Sequence, residues 1–183
     1  MTELARIPAL DAAPIAFVGV TVAVVDLAGQ VILRGDGAAI DPAAREVLGV
    51  PLPLVPCTRA GAAGVDVVWL RPDRWLMAAA AHPGGALSRA FAERLAPSAA
   101  DAHDASDGLT VIDATGPEAT ALLAASCNLD LHPRAFGAER AVTTLVGGVD
   151  AVLYRRDGGF RLHVARPLTH HLWDWLGAAA RDL

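Results

Sequence analysis

Between residues 126 and 136 the chain reads SCNLDLHPRAF. Cys127 offers a nucleophile, Asp130 and His132 a carboxylate and an imidazole for proton transfer, and Arg134 a fork for anions. Elsewhere stand Cys57, His82, His103, His163 and the pair His170-His171. Zinc ligands come in closely spaced pairs, and no Cys or His pair here has that spacing. His170 and His171 are adjacent on a helix, about 100° apart, so one metal cannot easily take both from that face. No sequence neighbour places a positive charge to lower the Cys127 pKa, so a small buried apolar role is expected for it. Asp101, Asp104 and Asp107 precede a strand and read as solvated turn formers. The chain has no GxGxxG after a strand, no Walker A, no HExxH, no GxSxG and no CxxC. RGDGAA (34–39) lacks the third glycine and the βαβ setting of a phosphate cradle. The residues alone therefore assign no catalytic, cofactor-binding or metal-binding position to this chain, and a binding or assembly subunit is favoured over an enzyme.

Composition narrows the classes further. All 15 basic residues are arginine, which excludes Schiff-base, lysine general-base and P-loop lysine chemistry. The net charge is −5 and the arginines are scattered, so a nucleic-acid partner is not expected. No apolar run reaches the roughly 20 residues that a membrane span needs. The start, MTELARIPAL, has no basic stretch leading into an apolar core, so no secretory signal is expected. Two cysteines far apart in such a chain suggest a reduced, cytoplasmic protein. A length of 183 residues suits one domain or two small lobes sharing a core.

The elements that must position these residues read as an α+β pattern. Strands are expected at 20–26 and 30–34, joined by LAG, then a helix with Asp41 as N-cap and Pro42 as its first residue, ending near Leu48. A proline-rich loop fills 50–64. A hairpin, 65–70 and 74–80, leads to a helix with Leu87, Phe91 and Leu95 on one face. The polar stretch 97–104 reads as a join. The second half opens with a strand at 108–114, then a helix with Pro117 at its start and Leu122 and Leu123 facing inward. Strands at 140–146, 149–155 and 160–165 come next, the first two around Gly147-Gly148, and Pro167 opens a last helix.

The two halves read as a duplication, lobe 1 about 20–96 and lobe 2 about 105–183. A shift of 79 places Val31 on Thr110, Leu33 on Ile112, Gly37 on Gly116, and VPLP (50–53) on LDLH (129–132). A shift of 85 places Trp69 on Tyr154, Trp75 on Phe160, Met77 on Leu162, Leu87 on Leu172 and Phe91 on Leu176. Six residues are thus inserted in the second half. Each unit is strand, helix, strand, strand, helix, which calls for antiparallel sheets with helices on one face of each. In the last helix, Leu168, Leu172, Trp175, Leu176 and Ala179 are expected inside, and Trp173 off that face as a partner contact. The apolar loop VPLPLVPC (50–57) is a second exposed candidate. Trp173, Leu54, Arg134 and Phe136 are accordingly the possible subunit-interface residues.

Several of these features together carry a resemblance. They are GP (116–117), Cys127 followed by LDLHPRAF, TTL (143–145), LWDWL (172–176) and WLRPDRWLM (69–77). With them the chain resembles the gamma subunit of heterotetrameric bacterial sarcosine oxidase over nearly its whole length, residues 1–30 only in character. The resemblance implies a fold related to the folate-binding region of the glycine cleavage aminomethyltransferase. It implies partners, the alpha, beta and delta subunits, that oxidatively demethylate sarcosine to glycine. Formaldehyde or methylene-tetrahydrofolate leaves with the one-carbon unit, and oxygen becomes hydrogen peroxide. FAD and FMN are then expected on beta, NAD and tetrahydrofolate on alpha and zinc on delta, with no cofactor on this chain. A free-standing aminomethyltransferase would be about twice as long, and KGCYxGQE-like folate signatures need a lysine that is absent here. Two alternatives stay open: a gamma subunit acting with a related N-methyl amine demethylase, and a stand-alone folate-binding one-carbon protein.

Overall fold

The computed structural model describes residues 9–62, 64–96 and 98–183; residues 1–8, where the absence of an export signal was read, and Pro97 in the expected join lie outside it. Among the described residues eleven strands form two sheets. Eight were expected from the sequence: β2 (Val20–Val25), β3 (Gly29–Arg34), β5 (Val65–Arg71), β6 (Arg74–Ala79), β8 (Leu109–Thr115), β9 (Ala141–Val146), β10 (Val149–Arg156) and β11 (Gly159–Ala165). The remaining three, β1 (Ile15–Phe17), β4 (Arg59–Ala62) and β7 (Asp101–Asp104), are short edges that escaped the sequence pattern. Three or four residues without alternation carry too little signal, and cross-strand pairing alone makes them strands.

Five strands run in the order β4-β5-β6-β3-β7 and six in the order β1-β2-β8-β11-β10-β9, all antiparallel. Aligned by position, the two sheets have one topology, with β4-β5-β6-β3 matching β9-β10-β11-β8. The strand that precedes each unit crosses over. β2 runs into β3 along the chain yet pairs with β8, Val22 opposite Ala114. β7 runs into β8 yet pairs with β3, Leu33 opposite Ala102. The expected neighbours 20–26 and 30–34 therefore sit in different sheets. The polar stretch read as a join is the closing strand of the other sheet. Each half lends a strand to its partner, which ties the lobes together.

Helices cover the outer faces. α1 (Gly37–Leu48) and α2 (Gly84–Leu95) bury Ile40, Ala43, Ala44, Leu87, Phe91 and Leu95 against Val31, Leu33, Val67, Trp75 and Met77. α3 (Ala119–Ala124) and α4 (Thr169–Arg181) bury Leu122, Leu123, Leu172, Trp173 and Leu176 against Ile112, Leu153, Phe160 and Leu162. Each buried Val, Leu, Ile, Phe or Met side chain among them contributes about 2 kcal/mol by leaving water. The inner faces of the sheets meet through Val68, Leu76, Ala141 and Tyr154. The order of layers is helices, sheet, sheet, helices.

Two helix expectations change. α1 starts one turn earlier than Asp41, because Asp36 caps it, its carboxylate accepting the Ala38 N–H at 3.1 Å. Pro42 lies inside the helix, and the Asp41 carboxylate instead holds the Leu52 N–H at 2.8 Å, anchoring the exit loop. In α4 the buried face is Thr169, Leu172, Trp173, Leu176, Gly177 and Ala180. Trp173 is 8% exposed and Trp175 45%, the reverse of the expected assignment. Leu168 belongs to a 3-10 turn (Arg166–Leu168), so helical phase cannot be counted from it. The small residues Gly177 and Ala180 set the close face; a Cβ on Gly177 would sit 3.2 Å from the Ile15 side chain of β1. Trp175 lies instead over the β9–β10 turn, where Gly147 and Gly148 have φ +58° and +83° and form the two-residue hairpin expected for paired glycines.

Candidate functional site

The titratable groups that the fold brings together lie in the seam between the sheets. Tyr154 and His163 are neighbours on β10 and β11, both buried and both turned inward. The Gln30 amide nitrogen on β3 donates to the Leu109 carbonyl at 3.1 Å, which leaves its oxygen facing His163 Nδ1 at 2.6 Å. Nδ1 must then carry the proton, and Nε2 is an acceptor 3.0 Å from the Tyr154 hydroxyl. Asp66 Oδ2, from β5, is the hydroxyl's second acceptor at 3.2 Å. One proton thus faces two acceptors. Asp66 is also gripped by arginines: Arg59 bonds Oδ1, Arg156 Nη1 lies 3.1 Å from Oδ2 and Arg161 Nη1 3.9 Å. Arg161 is fixed in turn by a two-pronged pair with Asp113 at 2.7 Å.

The electrostatics follow from burial. Desolvation, with Arg161 and Arg156 nearby, pushes the His163 pKa down to about 3. Burial and the Asp66 charge push Tyr154 above the usual phenol range. His163 is therefore neutral and Tyr154 protonated at neutral pH. Neither has a face open to a substrate. The network holds the sheets in register, with each charge paired and each ring nitrogen bonded. Of these residues only His163 was singled out from sequence, and nothing there linked it to Tyr154, Gln30 or Asp66. FRLHVA (160–165) alternates as a half-exposed strand does, and only the second sheet turns its polar face into an interior.

The stretch 126–136 proves to be a plug. Leu131 and Phe136 are buried, Leu129 packs beside them, and Phe136 meets Phe160 at 6.2 Å between centroids. Asp130 accepts the His132 N–H at 2.9 Å, and His132 Nδ1 accepts the Arg134 N–H at 3.2 Å. Both side chains serve the turn. Burial pushes the Cys127 thiol up, away from nucleophile behaviour. Arg155, which the sequence reading passed over, is the clamp. Its guanidinium donates to the Phe136 carbonyl at 3.0 Å and the Leu131 carbonyl at 2.6 Å while lying 4.4 Å over the Phe160 ring.

The other singled-out residues scatter. His82, His103 and His170 are exposed, and His171 donates to the Gly147 carbonyl at 2.9 Å. Asp104 accepts from Ser106, Asp101 starts β7, and Asp107 is exposed. Among the described residues no three His, Cys, Asp or Glu side chains are grouped to hold a metal ion, and no helix is long and apolar enough to cross a membrane. Of the four interface candidates, Arg134 and Leu54 are at the surface, Leu54 57% exposed. Phe136 and Trp173 are in the core of this chain, and Trp175 is the exposed indole of α4. Two clefts open nearby. One of about 280 Å³ lies beside Gln30, between the ends of β2 and β8 and Arg166. Another of about 310 Å³ lies among Trp69, Trp75, Leu54, Pro56 and Pro72.

Comparison with known proteins places this arrangement. The family described as "Sarcosine oxidase, gamma subunit family" matches residues 34–182. The chain belongs to that family. It is 34% identical to the sarcosine oxidase subunit gamma of Corynebacterium sp. (strain U-96), over 96% of this chain and 89% of that one. It is 37% identical to the subunit gamma of Arthrobacter sp, over 84% of this chain and 78% of that one. A chain of the heterotetrameric sarcosine oxidase from Corynebacterium sp. U-96, solved in complex with pyrrole 2-carboxylate, superposes with a TM-score of 0.81 at 32% identity, covering 89% of this chain and 84% of that one. The glycine cleavage system aminomethyltransferase T from Bartonella henselae superposes with a TM-score of 0.64 at 14% identity, over 90% of this chain and 49% of that one. That second likeness is one of fold. The expected kinship with the aminomethyltransferase α+β architecture is thus met.

Proposed function

We propose that this chain is the non-catalytic assembly subunit of a heterotetrameric sarcosine oxidase-type flavoenzyme of the cytoplasm. Membership of the gamma family over most of the chain carries the reading. The site supports it, since the acids and bases that the fold gathers are spent on holding two sheets together. In the complex, sarcosine, water and oxygen become glycine, formaldehyde and hydrogen peroxide, or the one-carbon unit passes to tetrahydrofolate. FAD, FMN, NAD, tetrahydrofolate and zinc belong to the alpha, beta and delta partners. The choice between sarcosine and another N-methyl amine is made in a pocket on a partner chain.

Co-purification tests this. The chain co-expressed with the three partners should be recovered in a yellow complex that forms hydrogen peroxide from sarcosine. Expressed alone it should be colourless and inactive. Sarcosine oxidation by the isolated chain, or its failure to join any flavoprotein, would overturn the reading. Micromolar tetrahydrofolate binding by the isolated chain would favour a stand-alone one-carbon protein.

A further inference from the structure

We infer that the cavity beside Trp75 is a socket for an aromatic side chain of a partner subunit; the inference rests on the subunit reading above. The second half of the molecule supplies the template. Trp75 and Phe160 are each the second residue of the strand after a hairpin turn, and both face the helices. Phe160 is covered by Phe136, which reaches it from the exit of α3. That exit is six residues longer than the exit of α1. The shorter exit has no counterpart of Phe136. After Leu52 and Pro53 have turned inward, the chain comes out to the surface at Leu54 and Val55, and an open cavity of about 310 Å³ remains beside Trp69 and Trp75. One half covers its anchor with a second aromatic ring; the other buries Trp75 to 1% exposure without one, Leu54 lying near its ring, and leaves an open cavity alongside.

The rim of the cavity is held as a docking surface would be. Leu54 and Val55 are 57% and 65% exposed, yet the loop is pinned at four points. The Leu52 N–H donates to Asp41 at 2.8 Å, and the Trp75 indole N–H to the Pro53 carbonyl at 2.7 Å. The Thr58 hydroxyl donates to the Val55 carbonyl at 2.6 Å, and the Ala141 N–H to the Cys57 carbonyl at 3.0 Å. Cys57 takes φ +60°, a left-handed conformation that non-glycine residues adopt only where the surroundings impose it. Pro51, Pro53 and Pro56 stiffen the rest. Apolar side chains presented rigidly to water around a two-indole cavity are pre-organised for a partner's anchor, because little order remains to be imposed on binding. An aromatic anchor fits best, since two tryptophans, two prolines and a leucine line the cavity beside Asp36, Gly37 and Ala38, and the internal template is a phenylalanine ring on a ring.

Blocking the socket is the test. Ala38 is exposed at the start of α1 and lines the cavity, so Ala38→Phe plants a ring in its mouth without touching the core. Leu54→Asp puts a charge on its rim. Both variants should keep the wild-type melting temperature of the isolated chain. Both should weaken capture of the partner subunits at least about tenfold, in keeping with loss of a central anchor. Leu145→Asp, on the exposed part of β9, serves as the control for a charge placed elsewhere. Wild-type affinity in both socket variants would overturn the inference and leave the subunit reading standing. Failure of the wild-type chain to capture any partner would overturn both. If the isolated chain dimerises and Ala38→Phe abolishes the dimer, the socket serves a second copy of this chain, and the partner assignment falls.

Discussion

The two halves share a topology but spend their inner faces differently. Where the first half turns Val68, Leu76 and Ala78 toward the seam, the equivalent strands of the second turn Tyr154, Arg161 and His163. The first half replies from other positions, with Asp66 and Gln30. A duplicated unit meeting its copy through identical apolar faces could slide or pair with a third copy. Complementary polar groups fix one register and one partner, at a cost in desolvation that only full pairing offsets. The outer faces differ in the same way. Trp75 ties its own exit loop with its indole N–H, whereas Phe160 has no donor and Arg155, lying over the ring, makes both bonds for it.

The harshest way to break the comparison is at the exit loops. Phe136→Ala should destabilise the chain by about 3–5 kcal/mol, because it leaves a cavity over Phe160 that the clamped loop cannot close. Leu54→Ala, the nearest side chain at the corresponding place in the first half, should change stability by no more than about 0.5 kcal/mol. Urea unfolding of the two variants measures both. Equal losses would mean that the first exit is as much a part of the core as the second.

The duplication was legible because packing repeats with the strands. Leu33 and Ile112, Met77 and Leu162, Phe91 and Leu176 do occupy matching buried places, and Val50 and Leu52 are buried as Leu129 and Leu131 are packed. Trp69 and Tyr154 do not match. A bulge between Trp69 and Arg71 shifts the register, so Trp69 faces the helices and Tyr154 the seam, and Val68 is the true counterpart by face. A one-residue slip reverses every side chain, and apolar alternation cannot reveal one when both faces are buried. The exchange of β2 and β7 was hidden for a related reason: a strand's own sequence says which face is apolar and nothing of which neighbour it pairs with. The plug role of 126–136 was legible from its alternating leucines. Arg155 was not, because an arginine ending a strand looks the same whether it meets water or two carbonyls.

The seam can be probed by acid. The folded-state pKa of His163, about 3, lies below the roughly 6.5 of an unfolded histidine. Above that higher value the ring is neutral in both states and pH has no leverage through it. As pH falls below about 6.5 the unfolded chain binds a proton that the folded chain refuses, so stability drops by up to about 1.4 kcal/mol per pH unit until about pH 3. His163→Gln lacks this component. Its deficit against wild type should therefore shrink between pH 7 and pH 4, whatever its size at neutral pH. Parallel stability curves for the two proteins would show that the ring takes up a proton inside the seam, with Tyr154 then free to donate to Asp66.

The finest test asks whether the outer anchors are interchangeable. Trp75→Phe copies Phe160 without an Arg155, and should cost about 1–2 kcal/mol through the Pro53 carbonyl left without its donor. Trp69 and Arg155 both stand on the helix-facing side next to these rings. Trp69→Arg alone loses an indole and gains nothing, because the Trp75 N–H already holds the loop. In the double variant the new guanidinium meets an unsatisfied carbonyl over a phenyl ring, the arrangement of the second half. The two changes should then be less harmful together than their sum, by about 0.5–1 kcal/mol in a double-mutant cycle. Simple additivity would mean that the anchors only resemble each other, and that each exit loop depends on donor geometry peculiar to its own half.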